Sequence, residues 1–209
     1  MSTFRPRTGP LSRPYWVALR AMLVFTVVLG VAYPLSITLA GQLALPEQAN
    51  GSLVSAEDGT VVGSGLIGQS FTDADGAAFP EWFQSRPSAA GDGYDGAASG
   101  GSNWGPENPD LIQAIGDRQA AITALDGVPA DEIPADAVTA SASGLDPHVS
   151  PAYALQQVPR VAAARDLPEA EVRALVESVE QARDLRFLGE PTVNVLNLNL
   201  ELATLDSSR

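Results

Sequence analysis

One membrane-spanning helix followed by one mixed α/β extracytoplasmic domain is the architecture that three features of this sequence predict. The first is an uncharged run of 25 residues from Ala21 to Leu45. The second is the placement of Arg5, Arg7, Arg13 and Arg20 ahead of that run. The third is the remaining chain, in which β-leaning stretches alternate with segments of helical period. The predicted boundaries are a cytoplasmic tail at 1–20, an anchor at 21–45 and a domain at 46–209.

At about 1.5 Å per residue the anchor exceeds the ~30 Å hydrocarbon core of a bilayer. Thr26, Ser36, Thr38 and Gln42 can return hydrogen bonds to their own helix or offer them to another. Gly30, Pro34 and Gly41 are tolerated in a spanning helix, where neighbouring helices re-satisfy a loosened backbone. Thr26, Gly30 and Pro34 recur every four residues and form a candidate contact face for a partner helix. A cleaved signal peptide is the competing reading, but the run is far longer than a signal h-region and no small-x-small site follows it. Gln42 stands where a lipoprotein would need cysteine. The basic flank, with Tyr15 and Trp16 at interface depth, keeps the N-terminus in the cytoplasm and the domain outside.

All 25 acidic residues and eight of the twelve arginines lie beyond the anchor, a balance of −17 for the outer part. Such a surface repels nucleic acid and anionic lipid. There is no lysine and no cysteine. The domain therefore stands without disulfides, and thiol chemistry and Cys-ligated metals are excluded.

Within the domain, Ser52 to Gly68 reads as a hairpin turning at Asp58-Gly59. Its literal G-x-G-x-x-G (Gly63, Gly65, Gly68) opens no helix, so turn glycines are the better reading. A Gly/Ser/Asn/Asp-rich loop runs from Ala89 to Pro109, with Tyr94 and Trp104 suited to anchoring a partner or to folding back on the core. Leu111, Ile115, Ile122 and Leu125 mark a helix ended by Gly127 and Pro129. Ile133 to Ala142 has strand leanings. Ser150-Pro151 is an N-cap followed by proline at the first helical position, and Pro159 should interrupt that helix. Asp166 and Pro168 begin another, with Val172, Leu175, Val176 and Val179 on one face and Gly189 closing it. Thr192 to Leu200 alternates as a strand whose phase slips near Val195-Leu196, as at a β-bulge or in a strand covered on both faces.

Ser143, Asp146 and His148, with Ser150 nearby, raise the possibility of an anchored extracytoplasmic hydrolase. Triads assemble in space rather than along eight residues of chain, and no G-x-S-x-G elbow is present. One histidine and no cysteine leave only carboxylates for a metal. No P-loop is present, and a lysine-free acidic domain is poorly suited to a triphosphate.

Three blocks resemble the C subunit (KdpC) of the potassium-transporting P-type ATPase, the Kdp complex. They are Gly68-Gln69-Ser70-Phe71 through Arg86-Pro87-Ser88 and Ser99–Asn103 to Asn108-Pro109; Val138–Ser150, containing Ser141, Ser143, Gly144, Asp146, Pro147, His148 and Ser150, continuing to Gln157 and Arg160; and Gly189-Glu190-Pro191 with Val193-Asn194-Val195-Leu196 and Leu198-Asn199. The resemblance implies a non-catalytic assembly and regulatory subunit in the cell membrane, a catalytic chaperone. Its implied partners are a channel-like potassium-translocating subunit and an ATP-hydrolysing P-type subunit. ATP and K+ are then used by the complex, with no cofactor assigned to this chain. The family is described as raising the pump's ATP affinity, which an outside domain could do only indirectly. Gln157 and Arg160 are the polar residues to inspect for direct nucleotide contact.

Overall fold

A computed structural model describes residues 12–56 and 58–207. Arg5 and Arg7 lie outside the described residues. The chain divides into two compact units, 1–52 and 53–209.

The first unit is dominated by one long apolar helix. It comprises α1 (Ser12–Phe25), a π-helical stretch (Thr26–Ala32) and α2 (Tyr33–Ala44). The segment Arg13–Ala44 is 32 residues long, its most apolar 18-residue stretch has a mean hydropathy of 2.1, and none of that stretch is buried. It passes the length and composition test for a membrane span. The helix starts earlier than the uncharged run because Arg13 and Arg20 end the apolar sequence without ending helical propensity. The π stretch precedes Pro34, which has no N–H to give to the preceding turn; the Tyr33 N–H reaches back five residues to the Val28 carbonyl. Ser36 returns its hydroxyl to the Ala32 carbonyl at 2.7 Å, and the Arg20 guanidinium lies 5.9 Å from the Trp16 ring centroid. A one-turn helix α3 (Pro46–Ala49) follows.

The second unit opens with β1 (Leu53–Ser55) and β2 (Val61–Ser64), an antiparallel ribbon with a register shift at Val54/Ser55. The hairpin is as expected, but its turn is longer than two residues. The Gly59 N–H bonds the Ala56 carbonyl and the Ala56 N–H bonds the Thr60 carbonyl. Gly59, at φ +81°, occupies the left-handed bulge position. The glycine motif serves packing: a Cβ on Gly63 would run into Gln69 and Leu196, and one on Gly68 into Tyr94 and the Asp146 carbonyl.

After the long loop comes α4 (Pro109–Asp126), N-capped by Asn108, whose side chain accepts from the Asp110 N–H, and closed by Gly127 at φ +73°. A 3-10 turn (Ala130–Glu132) leads to α5 (Ala135–Val138), a helical turn in place of the expected strand leanings. Pro134 pre-sets the extended N-cap, and Ala137 and Val138 bury on the short helix. Next, β3 (His148–Val149) pairs antiparallel with β4 (Val193–Asn194).

Helix α6 (Pro151–Arg165) is capped as expected by the Ser150 hydroxyl, which accepts from the Tyr153 N–H. It is not interrupted at Pro159. That residue lies on the exposed face, where water can replace the missing bond. Tyr153, Ala154, Val158, Val161 and Ala162, each at most 3% exposed, hold the helix in the core. Burial of such side chains, at about 1.5–3 kcal/mol each for the larger ones, offsets the ~3 kcal/mol cost of an internal proline.

Helix α7 (Glu169–Val179) buries Val172 and Val176. Asp166 is the left-handed C-cap of α6 rather than the start of α7. Helix α7 also ends ten residues before Gly189, and an irregular excursion follows. The expected bulged strand at 192–200 is β4 followed directly by α8 (Val195–Ser207). Val195, Leu198, Asn199 and Leu202 bury along one helical face, and the Asn194 side chain caps it by accepting from the Asn197 N–H at 3.1 Å. The phase slip was a change of period from 2 to 3.6. The core gathers buried residues of α4 to α8, the β3–β4 pair and Phe83, with α6 packed between α4 and α7.

Candidate functional site

The segment 138–150 lies between α5 and α6 and is tied on both sides to the loop of residues 83–101. Arg86 Nη1 donates to Asp146 Oδ2 at 3.0 Å and Nη2 to the Thr139 carbonyl at 3.2 Å. Asp146 Oδ1 accepts from the His148 backbone N–H at 3.0 Å and lies 3.3 Å from His148 Nδ1. The His148 side-chain bond chiefly, with its backbone N–H and the Arg86 charge, holds the Asp146 carboxyl below its ordinary range, against partial burial. The Ser88 hydroxyl donates to the Gly144 carbonyl at 2.6 Å and accepts from the N–H groups of Ala90 and Tyr94. Gly144 has φ +68°, and a Cβ there would meet the Gly100 carbonyl at 2.6 Å and the Ala90 nitrogen at 2.7 Å. Only glycine satisfies both the left-handed backbone and that close approach. Gly101 likewise packs on the Ala142 carbonyl.

The hydroxyls of this segment are engaged in local structural bonds. Ser143 Oγ accepts from the Leu145 N–H at 3.1 Å and lies 3.5 Å from Ser141 Oγ. Ser150 donates to Asp136 at 2.8 Å while capping α6. Among the described residues no serine hydroxyl is bonded to the His148 ring. Nucleophilic catalysis needs that contact, so Ser143, Asp146 and His148 come together as a braced turn rather than a triad. Pro147 offers its carbonyl to the Val195 N–H, and Asn194 donates to the Gly65 carbonyl at 2.9 Å. These bonds join the third sequence block to the second and to the β1–β2 ribbon. A shallow cavity bounded by Leu66, Ile67, Arg86, Ser141 and Asp146 lies over this junction.

Gln157 and Arg160 are spent inside the domain. Gln157 is fully buried; its Oε1 accepts from the Gln84 N–H at 2.7 Å and its Nε2 donates to the Gln84 carbonyl. Arg160 Nε meets Asp126 Oδ1 at 2.6 Å, with side chains 7% and 2% exposed. Its other nitrogens donate to Trp82 and Gln157 at 2.9 and 2.7 Å. A cation already neutralised and a buried amide with both ends used do not fit a nucleotide phosphate. Among the described residues no cluster of three or more His, Asp or Glu could hold a metal ion.

Of the aromatic candidates, Tyr94 folds back: its hydroxyl donates to the Arg86 carbonyl at 2.6 Å, and burial raises it to about 12. Trp104 remains 38% exposed. On the anchor, the Cβ direction of Gly30 meets Thr26 Cγ2 at 3.8 Å, so these two share one side of the helix through the π stretch.

Sequence reading missed Asp126, Gln84 and Asp136, and the role of Asn199. One signal was available: an aspartate in the last turn of a helix opposes the macrodipole, and Asp126 at the end of α4 implied a buried cation opposite. The others interact across 14 to 116 residues of chain and left no local trace.

The family model for the K+-transporting ATPase c chain, KdpC, matches residues 15–204. A potassium-transporting ATPase KdpC subunit of Kineococcus radiotolerans is 54% identical over 192 residues, covering 92% of this chain and 94% of that protein. One of the same name from Caulobacter vibrioides is 55% identical over 185 residues, covering 88% and 90%. Another from Mycobacterium tuberculosis is 51% identical over 186 residues, covering 88% and 95%.

Proposed function

The chain belongs to the family of the K+-transporting ATPase c chain, KdpC, and from that membership we propose that it is a membrane-anchored, non-catalytic assembly and regulatory subunit of an ATP-driven potassium pump. Its partners in this reading are the potassium-translocating and ATP-hydrolysing subunits. The observation that carries it is the junction at Asp146: the most specific sequence block of the family resemblance has its charges and hydroxyls turned inward, to Arg86, His148 and the backbone. Such a block sets the shape of a surface and does no bond-breaking chemistry. The helix 13–44 is the anchor, with its N-terminus in the cytoplasm because the flanking charges are arginines. The domain is outside. The face of Thr26, Gly30 and Pro34 packs on a partner helix.

Any effect on ATP is then indirect. A subunit that binds one conformation of the pump better than another shifts that equilibrium, and the apparent nucleotide affinity follows by linkage. The test is co-purification of the tagged chain with potassium-dependent ATPase activity, with protease added to right-side-out vesicles to report topology. Recovery of the pump, with the domain digested, is expected. Loss of pump recovery, protection of the domain, or ATP crosslinking to it within the complex would overturn the proposal.

A further inference from the structure

Between α7 and β4 the chain leaves the core in a braced excursion. Gln181 and Thr192 close its base with reciprocal backbone bonds of 2.8 and 3.0 Å, and Arg183 pairs with Glu190 one step further out. Beyond them, the N–H groups of Phe187 and Leu188 fold onto the Asp184 carbonyl. Leu185 and Arg186 sit at φ +50° and +71°, a left-handed geometry unfavourable for such side chains. The result is a tip on which Leu185 is 76%, Phe187 69% and Leu188 50% exposed, with Arg186 between them forming no ion pair among the described residues. A backbone held in an unfavourable conformation to present three large apolar side chains to solvent calls for an apolar environment.

We propose that this tip, Leu185 to Leu188, inserts into the interfacial layer of the lipid bilayer and acts as a second, shallow membrane contact in addition to the anchor helix. Two observations favour lipid as the occupant. Only eight residues, 45–52, separate the end of α2 from β1, and their fully extended reach is about 30 Å, a tether short enough to keep a bilayer within the domain's reach. The tip also has the make-up of an interfacial insert: leucines and an aromatic ring for the acyl boundary, with one arginine long enough to leave its charge among the phosphates. The inference rests on the anchored reading of residues 13–44.

The chain has no cysteine, so single cysteines carry nitroxide labels uniquely. Phe187→Cys and Leu188→Cys would be compared with Ala174→Cys on the exposed side of α7 and Leu35→Cys on the anchor. Each would be made in the full chain, within the whole pump complex reconstituted in phosphatidylcholine vesicles. Collision with oxygen, concentrated in lipid, is measured against collision with a water-soluble nickel chelate. Tip positions should favour oxygen, as Leu35→Cys does, while Ala174→Cys favours nickel. Nickel access at 187 and 188 equal to that at 174 would overturn the proposal by leaving the tip in water. Low access to both reagents would overturn it by placing the tip against another subunit. Nickel access at Leu35→Cys would refute the anchor itself, which separates failure of the premise from failure of the inference.

Discussion

Replacing Arg160 by methionine tests whether the buried pair with Asp126 is a keystone of the domain. The substitution keeps most of the side-chain volume but removes the bond of 2.6 Å to Asp126 and the donors to the Trp82 carbonyl and to Gln157 Oε1. Asp126, 2% exposed at the C-terminal end of α4, keeps only the Gln156 amide at 3.0 Å. It then faces the negative end of its own helix dipole. Breaking one partner out of a buried pair costs about 3–5 kcal/mol. With a urea dependence of roughly 2 kcal/mol per molar, the midpoint should fall by about 2 M. The loss is a large share of the ~5–15 kcal/mol that usually holds a domain. Urea unfolding of the full chain in detergent can be followed by Trp82 fluorescence, since the Arg165 guanidinium stacks 4.1 Å from that ring. The cost is mainly that of a stranded charge, so adding Asp126→Leu should restore much of the loss. A single-mutant cost below about 1 kcal/mol, or a double mutant no better than the single, would refute the reasoning.

Gly144→Ala should destabilise by about 2–4 kcal/mol in the same unfolding assay, because it adds left-handed strain to contact with two backbone atoms that cannot give way. Acid unfolding should depend on Asp146. Its folded value lies below the ordinary one, so the folded state binds fewer protons than the unfolded chain, and the stabilisation is complete above about pH 5 and lost as pH falls through the lowered value. Asp146→Asn should flatten the stability profile below about pH 4 while lowering the plateau near neutrality. Gly30→Leu should reduce recovery of the other pump subunits on the tagged chain if the anchor face is packed, and unchanged recovery would place that face against lipid. His148→Ala should leave the pump's ATPase within about tenfold of wild type, whereas loss of a general base costs ~10²–10⁴-fold.

The sequence by itself determined whatever depends on neighbours along the chain. An uncharged run of 25 residues suffices to define a membrane-length helix, because transfer into lipid is a sum over its own side chains. Caps are equally local: Asn108 and Ser150 each bond an N–H two or three residues on. The site residues of the 138–150 block were recognisable as a motif for the same reason. Their roles were not, because Ser, Asp and His at close spacing are compatible with catalysis or with bracing. The choice lies with Arg86, 60 residues away, and with hydroxyls turned to the backbone. Tertiary structure alone also decided between strand and helix at 195–207, where a short apolar run satisfies both periods until the faces of Leu198 and Leu202 meet the core. It carried α6 through Pro159, since burial on the opposite face outweighs one lost hydrogen bond. It likewise turned Gln157 and Arg160 into internal struts, because whether a polar side chain is free depends on partners that only folding brings within reach.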